Sequence, residues 1–250
     1  MEVIHPVITG LDVHEETVTA SLRVQKKKGI QRKLRVFGTT TPELLELQSW
    51  LVENDCPVVI MESTGDYWKP VYNILEGSVE VILANAHHVK TVPGRKTDVR
   101  DAEWLSDVGA HGLVRPSFIP PAPIRALRDL TRYRKVLIRE RASEINRILK
   151  LLETANIKLA CVVSDITGVS AQAMLRALVA GERDPARLAE LARTNLRKKK
   201  DRLVPALDGR FRERHGFLLR QMMDHIEYLE RQIAAISAEV ERLCVPFQEA

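Results

Sequence analysis

The order in which hydrophobic periods follow one another constrains the fold of this chain more than any other feature. Residues 6–24 (PVITGLDVHEETVTASLRV) alternate apolar and polar side chains, as two strands do on either side of a turn at His14 to Thr17. Val7, Ile8, Leu11 and Val13 favour a pleated backbone, and Gly10 permits another backbone to approach closely. After the KKKG turn, a third short strand is predicted over Arg32 to Phe37. TTTPELLELQSWLVEN then changes to helical spacing, with Thr41 as N-cap, Pro42 in the first turn and Leu44, Leu45, Leu47, Leu51 and Val52 on a broad apolar face. Pro57 opens VVIMEST, a short continuous apolar run of the kind that forms a central strand covered on both faces. DYWKPVYNILEG reads as a second helix and Val79 to Ala84 as another buried strand. Asn85 to Lys96 reads as a loop, and DVRDAEWLSDVGA as a helix capped by Thr97.

Three strands, helix, strand, helix, strand, helix is the ribonuclease H-like order. It describes an α/β sheet whose first three strands are antiparallel and whose later strands arrive through crossover helices. Four carboxylates stand out within it. Asp12 lies in the first strand, Glu62 at the end of the VVIM run, and Asp98 and Asp101 in KTDVRDA at a helix start. An acid in an apolar strand needs a partner to offset its desolvation. Two acids three positions apart on a helix have Cβ atoms roughly 5–6 Å apart and repel unless something neutralises them. Taken alone, Asp98 and Asp101 fit a capped helix start with ion pairs to Arg95, Lys96 and Arg100. Four acids on separate elements point further, to oxygen ligands for Mg²⁺ or Mn²⁺. Two such ions about 4 Å apart can clamp the attacking and leaving oxygens of a phosphodiester. Asp12, Glu62, Asp98 and Asp101 are therefore the candidate catalytic and metal-binding residues, and Lys90, Arg95 and Lys96 beside them would hold phosphates. His14, His87 and His88 are read as solvated loop histidines. Tyr67 and Trp68 are read as core, with base stacking as the alternative.

Pro116, Pro120, Pro121 and Pro123 mark a boundary between an α/β domain over residues 1–118 and a helical region over residues 119–250. Residues 124–153 are predicted to form a long basic amphipathic helix. Shorter helices are expected near Ser170 to Ala180 and Asp184 to Ala192, the latter capped by Asp184 before Pro185. Within a last helix, over 211–244, Leu219, Met222, Ile226, Leu229, Ile233, Ile236, Val240 and Leu243 alternate spacings of three and four. That is an a/d coiled-coil seam. Its partner is either the 124–153 helix folded back or the same helix of a second subunit, so a homo-oligomer, dimer or tetramer, is one expectation.

Charge is uneven. Residues 1–120 hold 13 Lys and Arg against 16 Asp and Glu, whereas residues 121–250 hold 25 against 17. A half with clustered acids joined to a basic half fits a phosphodiester enzyme with a nucleic-acid-binding arm; merely solvated helices are the plainer alternative. The candidate phosphate contacts there are Arg132, Arg134, Lys135, Arg197, Lys198, Lys199 and Lys200. Cys56, Cys161 and Cys244 lie far apart without CxxC spacing, which excludes a zinc ribbon and fits a reducing, cytoplasmic compartment. No stretch approaches the roughly 20 apolar residues of a membrane span, and no membrane partner is expected.

The strings GLDVHEETVTA, VIMESTGDYWKPVYNIL, VILANAHHVKTVPGRKTDVRDAEWLSDVGAHGLV and ITGVSAQAMLRALVAGERDPARLAELA, with the heptad helix, resemble the DEDD transposases of the IS110 group of bacterial insertion sequences. The resemblance covers essentially the whole chain in the same order. It implies a RuvC-like domain with Asp12, Glu62, Asp98 and Asp101 as an acidic tetrad, and a helical region that supports subunit assembly and nucleic-acid binding. It also implies DNA as substrate, a structured non-coding guide RNA as partner, and Mg²⁺-dependent cleavage and strand exchange in a nucleoid-associated protein. The family carries a further C-terminal domain with a serine nucleophile. This sequence stops at CVPFQEA, where that domain would begin, so the expectation is an N-terminal portion with no serine assigned. The alternatives are a hydrolytic Holliday-junction nuclease and a non-catalytic RNA- or DNA-binding oligomerisation fragment.

Overall fold

The computed structural model describes residues 2–85 and 101–247. Asp98, Lys90, Arg95, Lys96, His87, His88 and the Thr97 cap lie outside the described residues. The chain divides into two compact units, Met1–Ile119 and Pro120–Ala250.

The first unit is built on five strands: β1 (Val7–Val13), β2 (Thr17–Lys26), β3 (Gly29–Gly38), β4 (Val58–Glu62) and β5 (Glu80–Ala84), in the order β3-β2-β1-β4-β5. β1, β2 and β3 pair antiparallel, while β4 runs parallel to both β1 and β5. This mixed sheet is ribonuclease H-like. Among the described residues three helices cover it: α1 (Thr41–Glu53), α2 (Trp68–Leu75) and α3 (Asp101–Ala110). Side chains alternate across a strand, so β1, β4 and β5 feed two cores, while β2 and β3 add to one of them. Leu11, Leu22, Val59 and Met61 face α1 and α2, where Leu47, Leu51 and Leu75 are fully buried. Ile8, Val58 and Ile60 face the other way and pack with Leu105 and Val108 of α3.

Two local expectations need correcting. β3 is ten residues long and begins at Gly29, not at Arg32. Gly29 adopts φ +133°, which turns the chain tightly enough for Lys26 and Gly29 to pair, so the ladder starts at the turn itself. The N-cap of α1 is Thr40 rather than Thr41: its backbone is extended, and its N–H donates to Glu43 Oε2 at 3.1 Å. Pro70 falls in the first turn of α2, where its missing N–H costs nothing.

The second unit contains α4 (Ala122–Thr154), α5 (Val169–Val179), α6 (Pro185–Glu190), α7 (Lys200–Leu207) and α8 (Glu213–Cys244). α4 and α8 form an antiparallel pair. Arg134 Nε donates to Ser237 Oγ at 2.7 Å, Arg141 Nε donates to Glu230 Oε1 at 2.8 Å, and His225 lies 3.7 Å from Glu144. The folded-back helix is thus a partner of the heptad stripe within the chain itself. Leu219, Ile226 and Leu229 are buried as the spacing predicts, but Met223 is buried more deeply than Met222. α8 packs against α5 as well as α4, which widens the buried stripe beyond a two-helix seam. Ile233, Ile236, Val240 and Leu243 are only half-buried. The short helices close one core, with Leu152, Met174, Leu178, Leu188 and Leu203 among its members. Asp184 caps α6 by accepting from Ala186 N at 2.9 Å. RTNLRKKKDR, which in the sequence is only a charge run, folds as a 3₁₀ turn over Thr194–Lys199 leading into α7. Among the described residues no helix is long and apolar enough to cross a membrane.

Candidate functional site

Parallel pairing of β1 with β4 sets Leu11 opposite Met61, so Asp12 and Glu62 lie one step further along neighbouring strands. Leu11 and Met61 face α1 and α2; the next residue of each strand therefore turns towards α3. Both acids lie at the carboxyl ends of their strands, where open α/β sheets bind ligands. Asp101 is the first described residue of α3. Gly10 lets that helix approach, since a Cβ there would lie 2.0 Å from Ala102 O and 2.6 Å from Ser106 N. Gly109, near the helix's other end, fits against Ile8 and Ile60 in the same way.

Asp12, Glu62 and Asp101, drawn from three segments, line one open cavity of about 620 Å³. Asp12 Oδ2 lies 3.1 Å from His14 Nε2, and Glu62 Oε1 accepts from Thr64 Oγ1 at 2.8 Å. Tyr67 donates its hydroxyl proton to Glu15 Oε2 at 3.3 Å. Glu15 and Glu16 also line the cavity, and its described lining contains no Lys or Arg. A concavity with five carboxylates concentrates negative potential and attracts cations. Its donors are hard oxygens, the type that Mg²⁺ and Mn²⁺ take, so the residue types fit such an ion. Among the described residues, no three His, Cys, Asp or Glu side chains converge closely enough to hold a metal ion by themselves. Asp12 and Glu62 have turned an oxygen each to His14 and Thr64, and Asp98 lies outside the described residues.

Sequence reasoning misses several members of this cavity. His14 is exposed, as a solvated loop histidine would be, yet its ring meets Asp12. The available signal is its place two residues beyond Asp12 at a tight turn, which returns the side chain to the same face of the sheet. Trp104 has a similar signal, lying three residues after Asp101 on the same helix face. Tyr67 is half exposed at the cavity, whereas Trp68 packs into the core edge-on to Tyr72 at 5.9 Å.

The cationic candidates of the second unit divide by environment. Arg132, Lys135, Arg197, Lys198 and Lys199 are exposed. Arg134 is tied to Ser237, and Lys200 to Glu190 at 2.5 Å, so both make structural contacts. Lys199 lines a separate cavity of about 590 Å³ together with Arg193, Asn195 and Ser164.

A search of curated protein sequences returned no match. Among solved structures, the chain is similar to T. thermophilus RuvC in complex with Holliday junction substrate, at 12% identity and a TM-score of 0.34, over 45% of this chain and 100% of that one. It is also similar to the Fowlpox virus resolvase solved with substrate Holliday junction DNA, at 18% identity and a TM-score of 0.27, over 37% of this chain and 66% of that one. The model of the DEDD transposases of the IS110 type matches residues 9–157, more than half of the sequence, and the chain belongs to that transposase family.

Proposed function

We propose that the first unit is the metal-dependent phosphodiester-cutting domain of a DNA transposase, with Asp12, Glu62, Asp98 and Asp101 as its acidic ligands. The observation that carries this reading is the meeting of Asp12, Glu62 and Asp101 in one acidic cavity although they come from two strands and a helix far apart in sequence. Bound Mg²⁺ or Mn²⁺ would polarise the scissile phosphate and lower the pKa of an attacking water or hydroxyl. The chain's own part is to fix its carboxylates. β1 and β4 hold Asp12 and Glu62 in register, α3 carries Asp101, and His14 orients Asp12. Lys90, Arg95 and Lys96 would hold the phosphates beside the break.

The second unit serves as the nucleic-acid-binding and assembly arm in this reading. Residues 121–220 carry 23 Lys and Arg against 11 Asp and Glu, a balance suited to a polyanion. Arg132, Lys135, Arg197, Lys198 and Lys199 are the exposed cations expected to meet phosphates of DNA or of a structured guide RNA. The half-buried stripe of Ile233, Ile236, Val240 and Leu243 supports pairing of subunits into a dimer or tetramer.

The test supplies the chain with Mg²⁺, guide RNA and labelled donor and target DNA. Donor and target strands that are cut only with the metal, and left whole by Asp12→Asn, bear the reading out. Cutting of a labelled four-way junction in place of donor and target would mark a junction nuclease, and intact DNA with retained RNA binding a non-catalytic scaffold; either result overturns the proposal.

A further inference from the structure

Asp12 and Glu62 are fixed by a hydrogen-bonded sheet, but Asp101 stands on a helix whose docking decides where its carboxylate lies. The close fits at Gly10 and Gly109 bring α3 near to β1 and β4. Close approach and apolar packing are non-directional, and they fix a helix's distance from a sheet better than its rotation or its height along the strands.

A directional interaction is present on the outer side of the helix. Arg23 of β2 and Arg32 of β3 are paired across the ladder, so their side chains share the face that α3 covers. Arg23 is only 2% exposed, and its Nε donates to Asp107 Oδ1 at 3.0 Å. Arg32 grips the same carboxylate with both oxygens engaged by Nη2, at 2.6 and 2.7 Å, and its Nη1 donates to Ser106 Oγ at 3.0 Å. A guanidinium buried under a helix is tolerated only when paired, and its rigid fork specifies direction as an aliphatic side chain cannot. Asp107 follows Asp101 by six residues on the same helix, a separation of roughly 9 Å along the axis.

We propose that Arg32, acting with Arg23 through Asp107, is a positioning residue of the metal site: the clamp sets the rotation and height of α3 and thereby the place of the Asp101 carboxylate. The proposal rests on the reading of Asp12, Glu62 and Asp101 as metal ligands. Arg32 is not among the described residues that line the cavity. Its removal leaves the Arg23–Asp107 pair in place, so the helix stays docked but without the fork that fixes its direction.

The experiment measures Mn²⁺ affinity of the chain by calorimetry, together with amide hydrogen exchange across α3 and the thermal midpoint, in Arg32→Met, Arg32→Lys and Asp101→Asn. Arg32→Met should melt within a few degrees of the unaltered chain, exchange faster in α3, and bind Mn²⁺ about tenfold to a hundredfold more weakly, the range typical of groups that orient metal ligands. Arg32→Lys, which keeps the charge without the fork, should fall between. Should either variant melt early, the affinity is read at a temperature where circular dichroism shows it folded. If Asp101→Asn weakens Mn²⁺ binding while Arg32→Met does not, the clamp is only structural and the proposal is wrong. If Asp101→Asn also binds Mn²⁺ as before, the metal-site reading beneath it fails as well.

Discussion

Gly10 lies directly beneath the first turn of α3, with 2.0 Å between the position of a Cβ at Gly10 and the carbonyl oxygen of Ala102. Real Cβ atoms are never so close to backbone oxygen, so any side chain at Gly10 must lift the helix. Gly10→Ala should cost about 1–3 kcal/mol, the usual penalty of overpacking a fitted core. It should also weaken Mn²⁺ binding, because the turn it displaces begins with Asp101. Denaturant melts and Mn²⁺ titration of the same sample check both parts.

The three described acids should be dispensable for folding and necessary for chemistry. Asp12→Asn, Glu62→Gln and Asp101→Asn keep shape while removing charge. Each should lower metal-dependent cleavage by about a hundredfold or more. None should lower the melting temperature appreciably, since clustered like charges oppose folding rather than favour it. Chelating the metal with EDTA should reproduce the effect in the unaltered protein. Full turnover in Asp12→Asn and Asp101→Asn would remove both from the site.

Lys198 and Lys199 are exposed on the 3₁₀ turn, whereas Lys200 is paired with Glu190. Replacing both with Ser should weaken DNA or RNA binding about equally for all sequences, because phosphate contacts carry little sequence information. The slope of log affinity against log salt should become shallower by about 2, near one unit for each phosphate no longer neutralised. Filter binding at several salt concentrations reads both. A changed sequence preference at constant affinity would contradict the assignment.

His215 is a buried histidine of α8 whose Nδ1 accepts from Arg212 N at 3.1 Å and whose ring meets Phe211 edge-on at 5.6 Å. Desolvation, with smaller contributions from the Arg214 and Arg212 charges, pushes its pKa below the ordinary histidine value. The unfolded chain therefore binds this proton more readily than the folded one. The stability that neutral His215 confers is complete above about pH 6.5 and is lost as pH falls towards the depressed folded value. Denaturant melts at pH 7.5 and 5.5 should show the second unit weaker at the lower pH. His215→Gln should flatten the dependence in that interval.

How much of the molecule is legible in the sequence follows from the range of each interaction. Alternation in β1 and β2 and the apolar run of β4 are local patterns, so the strands and the direction of Asp12 and Glu62 can be read directly. The fold class follows from the order of those patterns. Arg23 cannot be read. In TVTASLRV it has the look of a solvated strand residue, and its burial depends on Asp107, 84 positions away. Trp104 and His14 have local signals, but what they line depends on where α3 and the β1–β2 turn come to rest. In α8 the heptad spacing predicts one partner, whereas burial of Met223 reflects a second, α5, whose docking no period in α8 encodes. The length of β3 is hidden for a local reason: three lysines obscure the start of a strand that Gly29 opens.

A metal site built from these carboxylates is tested most directly by paramagnetic broadening with substoichiometric Mn²⁺, read residue by residue in the isotopically labelled chain. Amide signals of Val13, His14, Ser63, Thr64 and the first turn of α3 should broaden together and first, and Asp12→Asn should abolish the effect. Broadening centred elsewhere, or unchanged in Asp12→Asn, would contradict such a site.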